Sequence, residues 1–143
     1  MANMRIEYYH ASKFGNGAMV AEEFKRLMAA KGVTVNVHHI RDARPKELPP
    51  ADLYIFSSPG RFGKPIRGMR RFLKKVKLPQ GSRYAVLTTQ HAPQLPMMDE
   101  QLKAKGLKKV AESKVLVTAI KGPLEDGWQM KVEEFVSQIQ IQG

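Results

Sequence analysis

Five apolar, strand-like runs alternate along this chain with segments of helical period, and that alternation restricts the possible folds most. The first run is residues 6–11. Val20, Phe24, Leu27 and Met28 then fall at i, i+4, i+7 and i+8, one face of a helix that starts near Gly17 and stops at Lys31-Gly32. Residues 33–37 alternate apolar and polar, which predicts a half-buried strand at a sheet edge. Residues 52–58 hold a continuous apolar stretch ending in hydroxyls, the pattern of a central parallel strand. A helix is predicted over 65–76, with Pro65 in its first turn and Ile66, Met69, Leu73 and Val76 as its buried stripe beside Phe72. Residues 83–88 form the fourth run. An irregular loop at 89–96 then leads to a short helix ending near Gly106. The fifth run is 115–120, and Trp128, Val132, Phe135, Val136 and Ile139 stripe a final helix.

Strands alternating with helices require right-handed crossovers and a mostly parallel sheet covered on both faces. With 33–37 at an edge, the economical arrangement is an α/β doubly wound five-stranded sheet of order 2-1-3-4-5, one domain over 1–143. Its topological switch point lies between strands 1 and 3. Two short turns fall there, Ser12-Lys13-Phe14-Gly15-Asn16-Gly17 and Ser57-Ser58-Pro59-Gly60-Arg61-Phe62-Gly63. Open α/β sheets bind ligands in that crevice, so the two turns are expected to form one composite site.

Composition narrows the chemistry. There is no cysteine, which excludes disulfides, thiolate metal sites and cysteine nucleophiles, so redox chemistry would need a bound cofactor. No stretch reaches the roughly 20 apolar residues of a membrane span, and the first residues lack a signal-peptide layout; a cytoplasmic protein without membrane insertion is expected. Lys and Arg number 24 against 13 Asp and Glu, a net charge of +11. Between Asp52 and Asp99 no acidic residue occurs, while Arg61, Lys64, Arg67, Arg70, Arg71, Lys74, Lys75, Lys77 and Arg83 all lie there. Such a field draws acidic partners or nucleic acid, and it also suits a plain solvated face.

Gly15-Asn16-Gly17 at a helix start can turn backbone amides toward one anion, with Ser12, Asn16 and Lys13 at hand; the same residues also serve as an ordinary helix cap. The Gly-Lys-Ser/Thr of a P-loop is missing. The third glycine of a dinucleotide fingerprint is Val20, leaving Asp42 as an isolated match for a ribose ligand. Phosphoacceptor aspartates are replaced by Ala11-Ser12 and Ser57-Ser58. His10 and His91 fall near strand ends, where either could face the site, although a core or surface role is the expectation for each. His38 and His39 adjoin on an edge strand and point to opposite faces, a poor geometry for a metal, and none is assigned.

The first turn resembles the phosphate loop S/T-x-x-G-N/H-T/G of the flavodoxin-like superfamily. Ser58-Pro59-Gly60-Arg61-Phe62-Gly63 resembles the S/T-P-T-R-F-G loop of its quinone-oxidoreductase branch, and Gly122 to Gly127 matches G-P-L-x-x-G. The resemblance spans nearly the whole chain and implies FMN as cofactor. It implies that Ser12, Lys13, Phe14, Gly15, Asn16 and Gly17 hold the phosphate. Ser58, Pro59, Gly60, Arg61, Phe62 and Gly63 would then border the ring, Phe62 stacking on it and Gly60 leaving its peptide free to turn. Thr89, Gln90, His91 and Ala92 would form the third wall. The chain departs from the pattern at Gly17, where a hydroxyl is usual, and at Gly60, where threonine is usual. Its third loop lacks glycines or a stacking aromatic, and its charge is basic.

The leading expectation is an FMN-dependent electron-transfer protein, monomeric or homodimeric, that meets an acidic redox partner near residues 61–77. A second is an NAD(P)H-dependent quinone or flavin reductase, with Arg61 toward the nicotinamide phosphate. A third is a flavin-free basic interaction module. Nucleic acid is the less favoured partner, since no RNA motif or aromatic stacking platform accompanies the charge.

Overall fold

A computed structural model describes residues 4–61, 64–90, 99–119 and 122–139. Its strands are β1 (Arg5–His10), β2 (Thr34–His39), β3 (Leu53–Arg61), β4 (Lys64–Pro65), β5 (Arg83–Gln90) and β6 (Lys108–Leu116). The helices are α1 (Asn16–Ala29), α2 (Arg67–Lys75), α3 (Glu100–Ala104) and α4 (Trp128–Gln138). Strand order is β2-β1-β3-β5-β6, all parallel, with the two-residue β4 antiparallel to the end of β3. Leaving β4 aside, this is the expected doubly wound order 2-1-3-4-5.

The pleat divides the core in two. Ile6, Tyr8, Ile55, Ala85 and Leu87 face α1 and α4, meeting Val20, Phe24, Val132 and Phe135. Tyr9, Tyr54, Phe56, Tyr84 and Val86 face the other way, against Met69, Phe72 and Leu73 of α2 and Leu102 of α3. The polar face of β2 has a second role besides marking the edge. Glu7, only 1% exposed on β1, accepts hydrogen bonds from Asn36 Nδ2 at 2.6 Å and Arg5 Nε at 3.4 Å, and its Oε1 lies 3.0 Å from His38 Nε2. Asn36 and His38 therefore satisfy a buried carboxylate that would otherwise be costly.

Several boundaries depart from the sequence expectations, β2 among them, which spans Thr34–His39 rather than 33–37. β3 does not end at Ser58 but runs on to Arg61, because Ser58, Pro59 and Gly60 continue the ladder against Thr88, Thr89 and Gln90. Pro59 lies beyond the last β1–β3 register pair, His10 with Ser57, where β3 has lost a neighbour and a residue without an N–H is tolerated. β5 likewise takes in Thr89 and Gln90, which were expected in a loop. Pro65 belongs to β4 rather than to the helix, which begins at Arg67 after an extended Ile66. The last strand spans Lys108–Leu116, not 115–120. Val117 instead bridges antiparallel to Leu124.

Helix α2 is held by burial rather than by its own charges. Met69, Phe72 and Leu73 are almost wholly buried, each contributing about 1.5–3 kcal/mol. Against that, Arg67 with Arg71, Arg70 with Lys74, and Arg71 with Lys75 are like-charged i,i+4 pairs, each costing about 0.2–0.5 kcal/mol. The helix C-terminus is closed by a residue from the α3 side: Lys105 Nζ donates to the carbonyls of Leu73 and Lys74, both at 2.9 Å, and to that of Val76.

Candidate functional site

Parallel register sets the carboxyl ends of β1, β2 and β3 side by side. His10 stands opposite His39 on one side and Ser57 on the other, and Ala11 N donates to Ser57 O at 3.0 Å. The chain leaves β1 through Ser12 directly into α1. Both backbone polar groups of Ser12 are taken by imidazoles: its N–H donates to His10 Nδ1 at 3.2 Å, and its carbonyl lies 3.1 Å from His39 Nε2. Arg41 N donates to His39 Nδ1 at 3.2 Å, so Nε2 of that ring carries the proton given to Ser12. The two rings meet edge to face, centroids 5.1 Å apart.

Ser12 in turn shapes the loop ahead of the helix. Its Oγ accepts from Gly15 N at 3.1 Å, and Gly15 turns the chain at φ +91°. A Cβ on Gly17 would stand 3.3 Å from Ser12 Cβ, which accounts for glycine where the resembling motif often has a hydroxyl. The N-cap, Gly15, has no side chain with which to cap the helix, and the first turn of α1 holds no acid. This end of the helix thus keeps its positive partial charge, with exposed Lys13 beside it. On its far side Asn16 packs against Gly122. A Cβ there would come within 2.6 Å of Asn16 Oδ1, and Gly122 itself sits at φ +101°. The segment carrying Gly122 is pinned by Thr118 N to Pro123 O at 2.8 Å, Glu125 N to Leu116 O at 2.8 Å, and Leu116 N to Glu125 Oε2.

The second wall is the end of β3. Ser58 is buried, and its hydroxyl is engaged within the fold: it donates to Pro59 O at 2.8 Å and accepts from Ile66 N at 3.2 Å. Gly60 lies in the ladder between Pro65 and Gln90. Thr89 is buried and pairs in register with Pro59 and Val115, and the backbone of Gln90 pairs with Gly60 and Leu116. Phe14 is exposed at the tip of the first loop. The expected roles of Phe62, Gly63, His91 and Ala92 lie outside the described residues.

The structure therefore brings Ser12–Gly17, the ends of β3 and β5, and Gly122 to one rim of the sheet. His10, His39 and Gly122 were missed as site residues. β2 runs past the predicted 33–37 to His39, and its parallel register with β1 sets His39 opposite His10, a pairing that the local sequence of either strand does not carry. Burial is the main reason that His10 is pushed down to about 4, followed by the charges of His39, Arg41 and His38. Among the described residues no group of three His, Cys, Asp or Glu could hold a metal, and no helix is long and apolar enough to cross a membrane.

No protein-family model matches this sequence, and no curated protein matches it. Solved structures do match in shape. Flavodoxin 2 from Bacillus cereus superposes with a TM-score of 0.79 at 19% identity, over 94% of this chain and 96% of that one. A flavodoxin from the domain Archaea gives 0.77 at 20% identity, over 92% and 93%. The rubredoxin oxygen:oxidoreductase of Desulfovibrio gigas gives 0.77 at 14% identity, over 94% of this chain but 35% of the larger protein.

Proposed function

We propose, from a chain whose fold is flavodoxin-like, that this protein binds FMN at the switch-point rim and serves as an electron-transfer protein. The observation that carries the reading is the Ser12–Gly17 loop: a shaped turn with glycine as the N-cap of α1, at the point where open α/β sheets take ligands. The donor set suits a phosphate monoester. Gly15 and Gly17 keep side chains out of the cradle, no carboxylate stands in the first turn of α1, and Lys13 adds a positive charge. The rim beside it suits a flat, largely apolar ring, since Pro59 and Gly60 stand there near the end of β3.

In this reading the backbone amides at the start of α1, with Ser12, Asn16 and Lys13, hold the phosphate. Pro59, Gly60, Thr89 and Gln90 border the ring. FMN supplies one- and two-electron transfer, chemistry that no side chain of a cysteine-free chain provides. The protein's part is to bind, to orient, and to set the electrostatic surroundings of the ring.

Absorption and fluorescence titration of the purified protein with FMN, and separately with riboflavin, tests this. The expected outcome is tight FMN binding with altered flavin absorbance, and riboflavin binding weaker by roughly tenfold or more, because the phosphate contacts are charge-assisted. Equal affinity for both flavins would remove the role of the loop. No binding of either would remove the function.

A further inference from the structure

Helix α2 is charged in a way that works against its own stability. Arg67, Arg70, Arg71, Lys74, Lys75 and, just beyond it, Lys77 are all exposed, and none forms an ion pair among the described residues. Arg67 and Arg70 sit in the first turn, where the helix dipole disfavours cations, and no acid accompanies them. Two elements in contact with α2 carry acids: Asp42 of the 3-10 turn Ile40–Asp42 lies 4.0 Å from Arg41 Nε, and at the start of α3 Asp99 pairs with Lys103 and Lys109, while Glu100 forms no ion pair with α2 among the described residues. Lys105 adds a further ammonium at the other end. Folding is not served by this placement: the buried stripe Met69, Phe72 and Leu73 would hold the helix equally well with glutamates outside. Self-repulsion retained on one rigid face is the mark of a surface shaped for something it meets.

The face is also fixed in place. Ile66 N, immediately ahead of α2, donates to Ser58 Oγ and to Pro59 O, both at 3.2 Å, so the helix start is bonded to the end of β3 at the switch-point rim. We propose that the exposed cationic face of α2 is the docking surface for an acidic protein, which it holds against the rim formed by β3. The proposal rests on the electron-carrier reading for the purpose of that contact, since a partner seated there lies beside the flavin site. Carboxylates are the complement that this face fits. Every exposed side chain on α2 is Arg or Lys, and among the described residues the exposed large apolar side chains, Phe14, Met19 and Met130, all lie elsewhere, so among these residues no platform for stacking bases accompanies the charge.

The test uses the purified full chain without flavin, so that its outcome is separate from that of the FMN titration. The probes are a fluorescent 20-residue polyglutamate and a 20-nucleotide oligothymidylate, read by anisotropy at near-physiological salt. Wild type is compared with Arg67→Glu/Arg70→Glu on α2 and with Lys25→Glu/Lys31→Glu, an equal charge change at exposed positions on and just beyond α1. Polyglutamate should bind wild type, weaken about tenfold on the α2 variant, and weaken far less on the control. The α2 variant should melt at or above the wild-type temperature, because the change removes repulsion. Backbone amide shifts on adding polyglutamate should centre on 66–77. Equal loss in both variants would show a diffuse field and overturn the surface. Tighter binding of the oligothymidylate on α2 would replace the acidic protein with nucleic acid. A lowered melting temperature of the α2 variant would remove the argument from stored repulsion.

Discussion

His10 carries the sharpest consequence at the scale of single residues. Its Nδ1 accepts from Ser12, so protonating the ring breaks the contact that starts the anion loop. Its folded value of about 4 lies below the ordinary 6.5, so the unfolded chain binds the proton more readily. The stabilisation is therefore complete above about pH 6.5 and is lost as pH falls through about 4, amounting to about 1–3 kcal/mol. Thermal melts across that window should show a sloping limb that flattens in His10→Asn, whose amide oxygen can still accept from Ser12. An unaltered limb would assign it to other groups. Gly122 makes a second case. Gly122→Ala places a Cβ on Asn16 in addition to the cost of a positive φ, whereas Gly127→Ala at φ +76° meets nothing within 4 Å. The first should cost about 1–3 kcal/mol and weaken FMN binding. The second should cost nearer 1 kcal/mol and leave binding unchanged, as denaturant titration and flavin fluorescence would report. Glycine identity was legible in both places; the neighbour that makes Gly122 special lies 106 residues away and was not.

Elements were readable where one face is apolar and unreadable where neighbours decide. The stripe Met69, Phe72, Leu73 identified α2 to within two residues at its start, and the stripes of α1 and α4 did as well. β6 was misplaced because Lys108 to Lys114 is dominated by polar residues. An edge strand needs only a few buried positions, here Ala111 and Val115, and its pairing with β5 supplies the rest. β3 ran past its hydroxyls because β5 and β4 offered partners, a fact of tertiary register that local composition does not carry. Lys105 shows the same limit from the other side. In sequence it is one more cation, yet its ammonium closes three carbonyls at the end of α2. Lys105→Met should cost about 1–3 kcal/mol in chemical denaturation and speed amide exchange in the last turn of α2. A neutral result would mean that water serves those carbonyls equally well.

Across the whole molecule the excess of cations sets the electrical surroundings of any bound cofactor. With a net charge of +11, adding electrons to a flavin at the rim is favoured, and salt screens that effect. The reduction potential of bound FMN should therefore fall as ionic strength rises, measured by potentiometric titration at low and high salt. A potential that climbs with salt would contradict the sign. The order of the sheet and the position of the rim followed from the strand–helix alternation together with the polar face of residues 33–37, since a doubly wound sheet has one switch point. The shape of the rim did not. The carbonyl of Ser12 is held by a histidine 27 positions further along the chain, on a strand that arrives only after α1 has been laid down. A nascent chain thus makes the loop's sequence early and its shape late. A fragment spanning residues 4–30 would carry every residue of the phosphate motif and still have no formed cradle, which becomes complete only when β2 closes against β1.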